Sequence, residues 1–360
     1  MLILFRWLGR RPLWLLHAIG AALGWATYLL SPSYRKRFRA NVLQAGVSRA
    51  DAWAAIASAG RMVAEAPYLW MRPAETPIGP QLCWQGRNLI EAAMQTQRGI
   101  VFLTPHMGSF EVTAQAIAQE FAAAHGPVTV LFRPARKAVL RGVMDRSRAR
   151  PGVATAPATL AGVRQMIRAL RRGEAIGLLP DQVPPAGMGV WVPFFGKPAY
   201  TMTLAARLVQ QTGALPLLIW GERLPRGSGY TVHVSKLDDP SFAPDADAPH
   251  GGMTPSAGGR REAASSGHPR ADAGPSQGGM TPSAGGRREA ASSGHPHADA
   301  GPPQGGMTPS GGGRREAVAG GLHQAESAAA VNRAMERLIR QCPQQYLWGY
   351  NRYKQPRSAD

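Results

Sequence analysis

Gly99-Ile100-Val101-Phe102-Leu103-Thr104-Pro105-His106-Met107-Gly108-Ser109-Phe110-Glu111 decides how this chain is read. An apolar, β-branched run ends in Thr-Pro, the pattern of a buried strand that closes at a turn. Phe110 onward reads as a helix. His106 therefore falls at a strand-to-helix turn, where open α/β sheets place their ligands. An imidazole that can take a proton, oriented by a carboxylate, is the minimum equipment for activating a hydroxyl. On one regular helix His106 and Glu111 would stand about 140° apart. They meet only if His106 precedes the helix and its turn folds back, which Pro105 and Gly108 permit. The plain alternative is a buried turn histidine beside a solvated glutamate.

Outward from this stretch, strands and helices alternate. The pattern predicts strands at Leu82–Trp84, Ile100–Thr104, Val128–Phe132, Ala175–Leu179, Gly189–Phe195, Leu215–Trp220 and Tyr230–Val234. It predicts helices at Asn88–Gln97, Phe110–Ala124, Lys137–Arg148, Thr159–Arg172, Met202–Gln211 and Ser327–Gln341, with residues 41–71 helical before them. Such alternation implies an α/β fold with a mainly parallel central sheet and helices on both faces.

Two further strand ends carry polar groups. Phe132-Arg133-Pro134 follows one strand and opens a run of cations, Arg136, Lys137, Arg141, Arg146, Arg148 and Arg150. Arginines placed there grip phosphates, or polarise a carbonyl whose oxygen becomes negative; a solvated basic face has the same sequence. Pro180-Asp181-Gln182 follows another strand, where Asp181 could orient an arginine, bind substrate or cap a turn. Gly187 to Gly196 is an apolar, aromatic loop in which Phe194 and Phe195 line either an acyl groove or ordinary core.

Ser109 and Cys83 lack the nucleophile-elbow context, so an acceptor is expected to attack directly, with no acyl-enzyme. His106 to Glu111 is not the His-Glu-x-x-His zinc motif, and neither metal nor organic cofactor is expected. Cys83 and Cys342 are far apart and suggest a reducing compartment without a disulfide framework.

At the N-terminus, Pro12 to Leu30 is apolar apart from His17 and Thr27, roughly the length that crosses a bilayer. Arg6, Arg10 and Arg11 precede it and Arg35, Lys36, Arg37 and Arg39 follow. Cations on both flanks also suit a helix lying in the membrane surface. Gly20 and Gly24 form a G-x-x-x-G able to pack on another helix, though small residues in an apolar run look the same.

Residues 251–321 differ in kind. Gly-Gly-Met-Thr-Pro-Ser begins at Gly251, Gly278 and Gly305, a period of 27. The unit is too poor in large apolar residues to bury a core and reads as a flexible, disordered insertion. Its His268, His295 and His297 read as part of a solvated tract. The expected organisation is thus residues 1–40 as membrane anchor and basic flank, 41–250 as the α/β domain, 251–321 as repeats, and 322–360 as that domain's C-terminal helix and tail.

The net charge is +19, and residues 251–321, with seven Arg and five acids, supply only +2 of it. The remaining +17 favours anionic partners such as phospholipid, phosphorylated glycan or an acidic carrier protein. Zinc-finger spacing and aromatic-basic RNA-binding signatures are absent, which argues against nucleic acid.

Taken in order, several of these pieces resemble the late acyltransferases of lipid A biosynthesis, the lauroyl/myristoyl acyltransferase family. The pieces are the apolar N-terminal helix, Arg37–Asn41, His106-x-x-x-x-Glu111, Phe132-Arg133-Pro134, Arg148, Leu179-Pro180-Asp181-Gln182, Pro193-Phe194-Phe195-Gly196 and Pro343 through Lys354. The resemblance implies acyl transfer from acyl carrier protein, or sometimes coenzyme A, to a hydroxyl of a lipid A precursor at the cytoplasmic face of the inner membrane. By motif match His106 would be the base and Glu111 its partner, with Arg148 and Asp181 needed for activity and Arg133 in the substrate segment. Arg148 or main-chain N–H groups at the Gly108 turn would steady the oxyanion. The rivals are acyl transfer to a lysophospholipid or other glycolipid, and a non-catalytic membrane lipid-binding protein. The repeat array departs from the family pattern.

Overall fold

The computed structural model describes residues 2–73, 76–132, 150–242 and 312–357. The chain divides into two compact units, Met1–Gly252 with Arg314–Asp360, and Met253–Gly313. The sheet and the helices packed on it belong to the first unit. The expected helix Lys137–Arg148, with Arg133 and Arg148, lies outside the described residues, as do residues 251–311 of the repeats; residues 312–321, expected to be disordered, are instead the start of the last helix.

Four helices come first: α1 (Leu2–Gly9), α2 (Leu13–Leu30), α3 (Pro32–Gln44) and α4 (Arg49–Met71). Ser31 caps α3 from the amide of Tyr34, with Pro32 at the first helical position, and Ser48 caps α4 from the amide of Asp51. These are the residue types that satisfy orphan N–H groups at a helix start. The helix expected over residues 41–71 is therefore two, because the chain turns at Gly46 with φ +66° before Ser48 restarts it.

The remaining elements are β1 (Leu82–Gln85), α5 (Arg87–Gln95), β2 (Ile100–Leu103), α6 (Phe110–His125), β3 (Val128–Phe132), β4 (Val153–Pro157), α7 (Leu160–Arg171), β5 (Ala175–Leu178), β6 (Gly189–Phe194), β7 (Lys197–Met202), α8 (Leu204–Thr212), β8 (Leu215–Arg223), β9 (Tyr230–Lys236) and α9 (Gly312–Gln341). The sheet runs β1-β9-β8-β2-β5-β3-β4. β2 pairs parallel with β5 and β8, and β3 parallel with β5 and β4. β9 is antiparallel to β8 and parallel to β1, so the mostly parallel sheet ends in two reversed strands.

Successive strand residues point to opposite faces, and here both faces are core. Ile100 and Phe102 join Ile90, Val112 and Ile117 on the α5–α6 side. Val101 and Leu103 join Met166, Leu208 and Met335 on the α7–α8–α9 side. At ~1.5–3 kcal/mol for each large apolar side chain fully buried, these two layers hold the C-terminal end of β2 in place.

Phe195 and Gly196 connect β6 to β7 with φ +46° and +74°. That is the two-residue hairpin geometry in which both central residues need positive φ. Glycine adopts it freely; Phe195 is held there by its surroundings.

Candidate active site

β2 and β5 pair with Leu103 opposite Leu178. His106 and Asp181 each lie three residues further on, so parallel pairing delivers both to one place beyond the sheet's C-terminal edge. His106 Nδ1 is 2.7 Å from Asp181 Oδ1, and the His106 amide donates to Asp181 Oδ2 at 2.9 Å. The carboxylate is 2% exposed, whereas the imidazole side chain keeps 19% of its surface open. Burial works to raise the Asp181 carboxyl, but the charge of His106 and its two hydrogen bonds outweigh that and hold it below the usual aspartate value. An ionised carboxylate only accepts hydrogen bonds, so Nδ1 carries the proton and Nε2 is left as the basic nitrogen. Phe110 packs on the ring, with centroids 5.1 Å apart.

The acceptor on Nδ1 is thus Asp181 rather than Glu111, the residue expected to hold the ring. The reason is geometric. Ser109 is the N-cap of α6, so Glu111 enters the helix at its second position, while strand register brings Asp181 against the turn. Glu111 lines a cavity of about 100 Å³ with Phe102, Phe110, Ile117, Val130 and Leu179, between α6 and the sheet. The lining is mostly apolar, but Thr104, Thr113, Gln115 and Arg150 add polar groups to it besides Glu111.

Main-chain N–H groups at this turn are already engaged. Those of His106, Met107, Gly108 and Ser109 donate to Asp181, Pro105 O, Gln345 O and Gly221 O. The Gly108 turn therefore does not supply the oxyanion donors expected of it. Gly108 is required for a different reason: its φ is +55°, and a Cβ there would stand 1.9 Å from Gly221 O.

The tail of the chain completes the site. Leu347 donates to His106 O at 3.3 Å and Gly108 to Gln345 O at 2.9 Å. The Gln345 side-chain amide brackets the main chain of Arg223, accepting from its N–H and donating to its carbonyl, both at 3.0 Å. The Tyr346 phenol is buried near Asp181, and burial and that negative charge push its pKa far up. Arg352 is buried and donates to Tyr200 O, Thr201 Oγ1 and Asn332 Oδ1, fastening the tail to β7 and α9. Spacing along the sequence could not reveal this role for Gln345 and Tyr346; the signals were the aromatic-basic character of residues 345–354 and the place of Pro343 through Lys354 in the family resemblance.

Beneath the turn, Arg223 donates from Nε to Glu65 Oε2 at 2.9 Å, from Nη1 to Ser58 Oγ at 2.9 Å, and from Nη2 to Gly108 O. His17 Nε2 is 3.1 Å from the same Glu65 oxygen. A buried ionic group on α2, α4 and β8 thus supports the carbonyl side of the Gly108 turn.

The other expected site residues are placed apart. Phe194 and Phe195 are 2% and 6% exposed and belong to the α9-side core, where Arg352 and Arg340 cover their rings. The structure does not bring them to the cavity beside Glu111. Gln182 is half-buried next to Asp181, ahead of Val183, whose N–H donates to Tyr350 Oη.

A larger cavity, about 470 Å³, lies along α6 near Arg72 and Arg150 and shares Gln115, Arg150 and Val153 with the one beside Glu111. Arg150 Nη2 bonds Leu69 O and Arg72 O, and Arg72 bonds Thr76 O and Gln115. Arg150 thereby closes the carbonyl end of α4. Among the described residues no group of three or more His, Cys, Asp or Glu is placed to hold a metal.

A family model described as bacterial lipid A biosynthesis acyltransferase matches residues 2–242 of the 360. No curated protein matches the chain. The matched stretch contains His106, Glu111 and Asp181; Gln345, Tyr346 and Arg352 lie beyond it.

Proposed function

Because the chain belongs to the bacterial lipid A biosynthesis acyltransferase family, we propose that it moves a fatty acyl chain from a thioester to a hydroxyl of a phosphorylated, acylated glucosamine disaccharide, with His106 as base and Asp181 as the residue that aims it. The 2.7 Å contact between His106 Nδ1 and Asp181 carries this reading. It fixes one tautomer and leaves the basic nitrogen on an imidazole that is still open to solvent.

In the proposed step, Nε2 takes the proton of the acceptor hydroxyl as its oxygen attacks the thioester carbonyl. The tetrahedral adduct collapses, the carbon–sulfur bond breaks, and the thiolate recovers the proton from the imidazolium as the free carrier thiol. Asp181 stabilises the imidazolium between these transfers. A positioned base of this kind is worth roughly 10²–10⁴ in rate. With the turn amides engaged, the developing oxyanion falls to Arg148, and Arg133 remains the candidate for gripping the anionic substrate. Glu111 is a second carboxylate at the wall of the cavity, whose Phe102, Phe110, Ile117, Val130 and Leu179 side chains suit hydrocarbon next to the reacting carbonyl.

Acyl carrier protein is the proposed donor, because the +17 outside the repeats suits an acidic carrier as well as an anionic lipid. The proposed setting is the cytoplasmic face of the inner membrane, in keeping with the family and the apolar helix α2. Mass spectrometry of lipid A from cells with and without the gene tests the assignment. Loss of one secondary acyl chain supports it and identifies acceptor and chain length together; unchanged lipid A overturns it.

A further inference from the structure

α2 is long and apolar enough to cross a membrane, yet it is docked along its length. Its buried residues Leu13, Leu16, His17, Gly20 and Gly24 form one stripe, laid antiparallel on α4. The backbones touch: a Cβ on Gly24 would stand 2.2 Å from Ile56 O, and one on Gly60 1.9 Å from Gly20 O. At one end the β8–β9 turn closes on α2, where a Cβ on Gly227 would stand 2.4 Å from Trp14 N. Towards the other end, Trp25 meets Trp53 edge-on at 5.6 Å. Midway, His17 enters the ionic group with Glu65 and Arg223.

A helix so attached cannot stand across a hydrocarbon core alone. It would carry α4, with Arg49, Asp51, Arg61 and Glu65, and the β8–β9 turn to the same depth. Charges and irregular backbone at that depth are strongly disfavoured unless enclosed by protein.

The opposite face of α2 is uncovered and apolar apart from Thr27, whose hydroxyl donates to Leu23 O within the helix. Trp14, Leu29 and Leu30 are 58%, 61% and 82% exposed, and Trp7 and Trp53 extend the patch onto α1 and α4. Cations ring it: Arg11 lies over Trp7, Arg39 over Tyr28 and Arg49 over Trp53, at 4.6, 5.8 and 5.6 Å. The first fifty residues hold eight Lys or Arg and no Asp or Glu. An apolar face rimmed by aromatic and basic side chains matches the headgroup–acyl boundary of an anionic leaflet.

We propose that α2 does not span the membrane but lies in the plane of one anionic phospholipid leaflet, its Trp14–Leu30 face in the lipid and both its ends on the side of the catalytic body. This rests on the membrane setting of the proposed function and makes it specific.

The test uses the full chain with Cys83→Ser, since Cys342 is buried, and single cysteines at the exposed positions Arg10, Ser33 and Ala18. In sealed inner-membrane vesicles with the cytoplasmic face outward, Arg10→Cys and Ser33→Cys both react with a membrane-impermeant maleimide. Ala18→Cys reacts only after detergent. One end reacting only after permeabilisation would show a spanning helix and overturn the proposal. Disulfide dimers formed through Ala18→Cys would give the face to a second copy of the chain and also overturn it. Purified protein binds vesicles containing phosphatidylglycerol at least tenfold more tightly than phosphatidylcholine vesicles; equal binding would contradict the anionic leaflet. None of these readouts involves turnover, so a spanning result would leave the acyl-transfer reading standing.

Discussion

His106 Nδ1 and Asp181 Oδ1 stand 2.7 Å apart although 75 residues separate them along the chain. Only the parallel pairing of β2 with β5 makes this possible, and it does so by giving each residue the same three-residue overhang. Asp181 therefore sets both the tautomer and the direction of the imidazole.

That relationship is visible by spectroscopy. With ¹⁵N-labelled histidine, the neutral imidazole of His106 carries its proton on Nδ1 and leaves Nε2 bare. Asp181→Asn scrambles this pattern, while Glu111→Gln preserves it. Glu111→Gln scrambling the pattern and Asp181→Asn sparing it would assign the ring to the wrong carboxylate.

Asp181 also makes stability depend on pH in a defined sense. Its carboxyl lies below the usual value in the folded chain, so its pairing stabilises the fold above the unfolded value of ~3.9 and is lost as pH falls through the lower folded value. Urea unfolding of wild type and Asp181→Asn should differ most near neutrality and converge below about pH 4. A gap that widens on acidification would mean that the carboxyl is raised instead.

The tail is expected to act on catalysis through position. Gln345→Ala removes the amide that brackets Arg223 and loosens the segment that accepts from Gly108. Since misplacement by about 1 Å can cost 10²-fold, kcat should fall roughly 10- to 100-fold with KM changed little. Unaltered kcat in a folded Gln345→Ala protein would show that the tail does not position the turn.

Arg223 is the structural counterpart. Its side chain and that of Glu65 are 3% and 2% exposed, so screening by solvent is slight. Arg223→Ala takes the guanidinium from Glu65 and strips a donor from Gly108 O. Removing one partner of a buried pair costs about 3–5 kcal/mol, to be read as a lower midpoint of chemical unfolding. The double variant Arg223→Met with Glu65→Leu should recover much of the loss, because the carboxylate that the single variant strands is then gone as well.

Much of this architecture can be read from hydrophobic pattern. β3 falls where the sequence puts it, and β2, β5, α6 and α7 fall within a residue or so at each end. Two strands escape such reading. β4, Val-Ala-Thr-Ala-Pro, is an edge strand with weak strand formers that pairs on one side only. β7 becomes a strand because the Phe195–Gly196 turn folds it back on β6. α9 begins earlier than its apolar pattern, which starts at Ser327.

The site was legible in its imidazole and in its carboxylates taken singly, because strand ends and turn residues mark them locally. Which carboxylate meets the ring was not. A five-residue spacing is visible along the chain, whereas a contact across paired strands depends on register. The same limit hid Gln345, which reaches Gly108 only after α9 has packed on the sheet. The G-x-x-x-G of α2, by contrast, does pack on a helix, and Gly60 of α4 supplies the matching gap.

The decisive assay is acyl transfer by purified protein from acyl carrier protein thioester to a tetra-acylated, phosphorylated glucosamine disaccharide, followed by mass spectrometry. Wild type adds one acyl chain; folded His106→Ala and Asp181→Asn each lose at least roughly 10² in rate, as expected for a base and its orienting carboxylate. Transfer persisting at the wild-type rate in either variant would refute the pairing of His106 with Asp181 as the proton-handling unit.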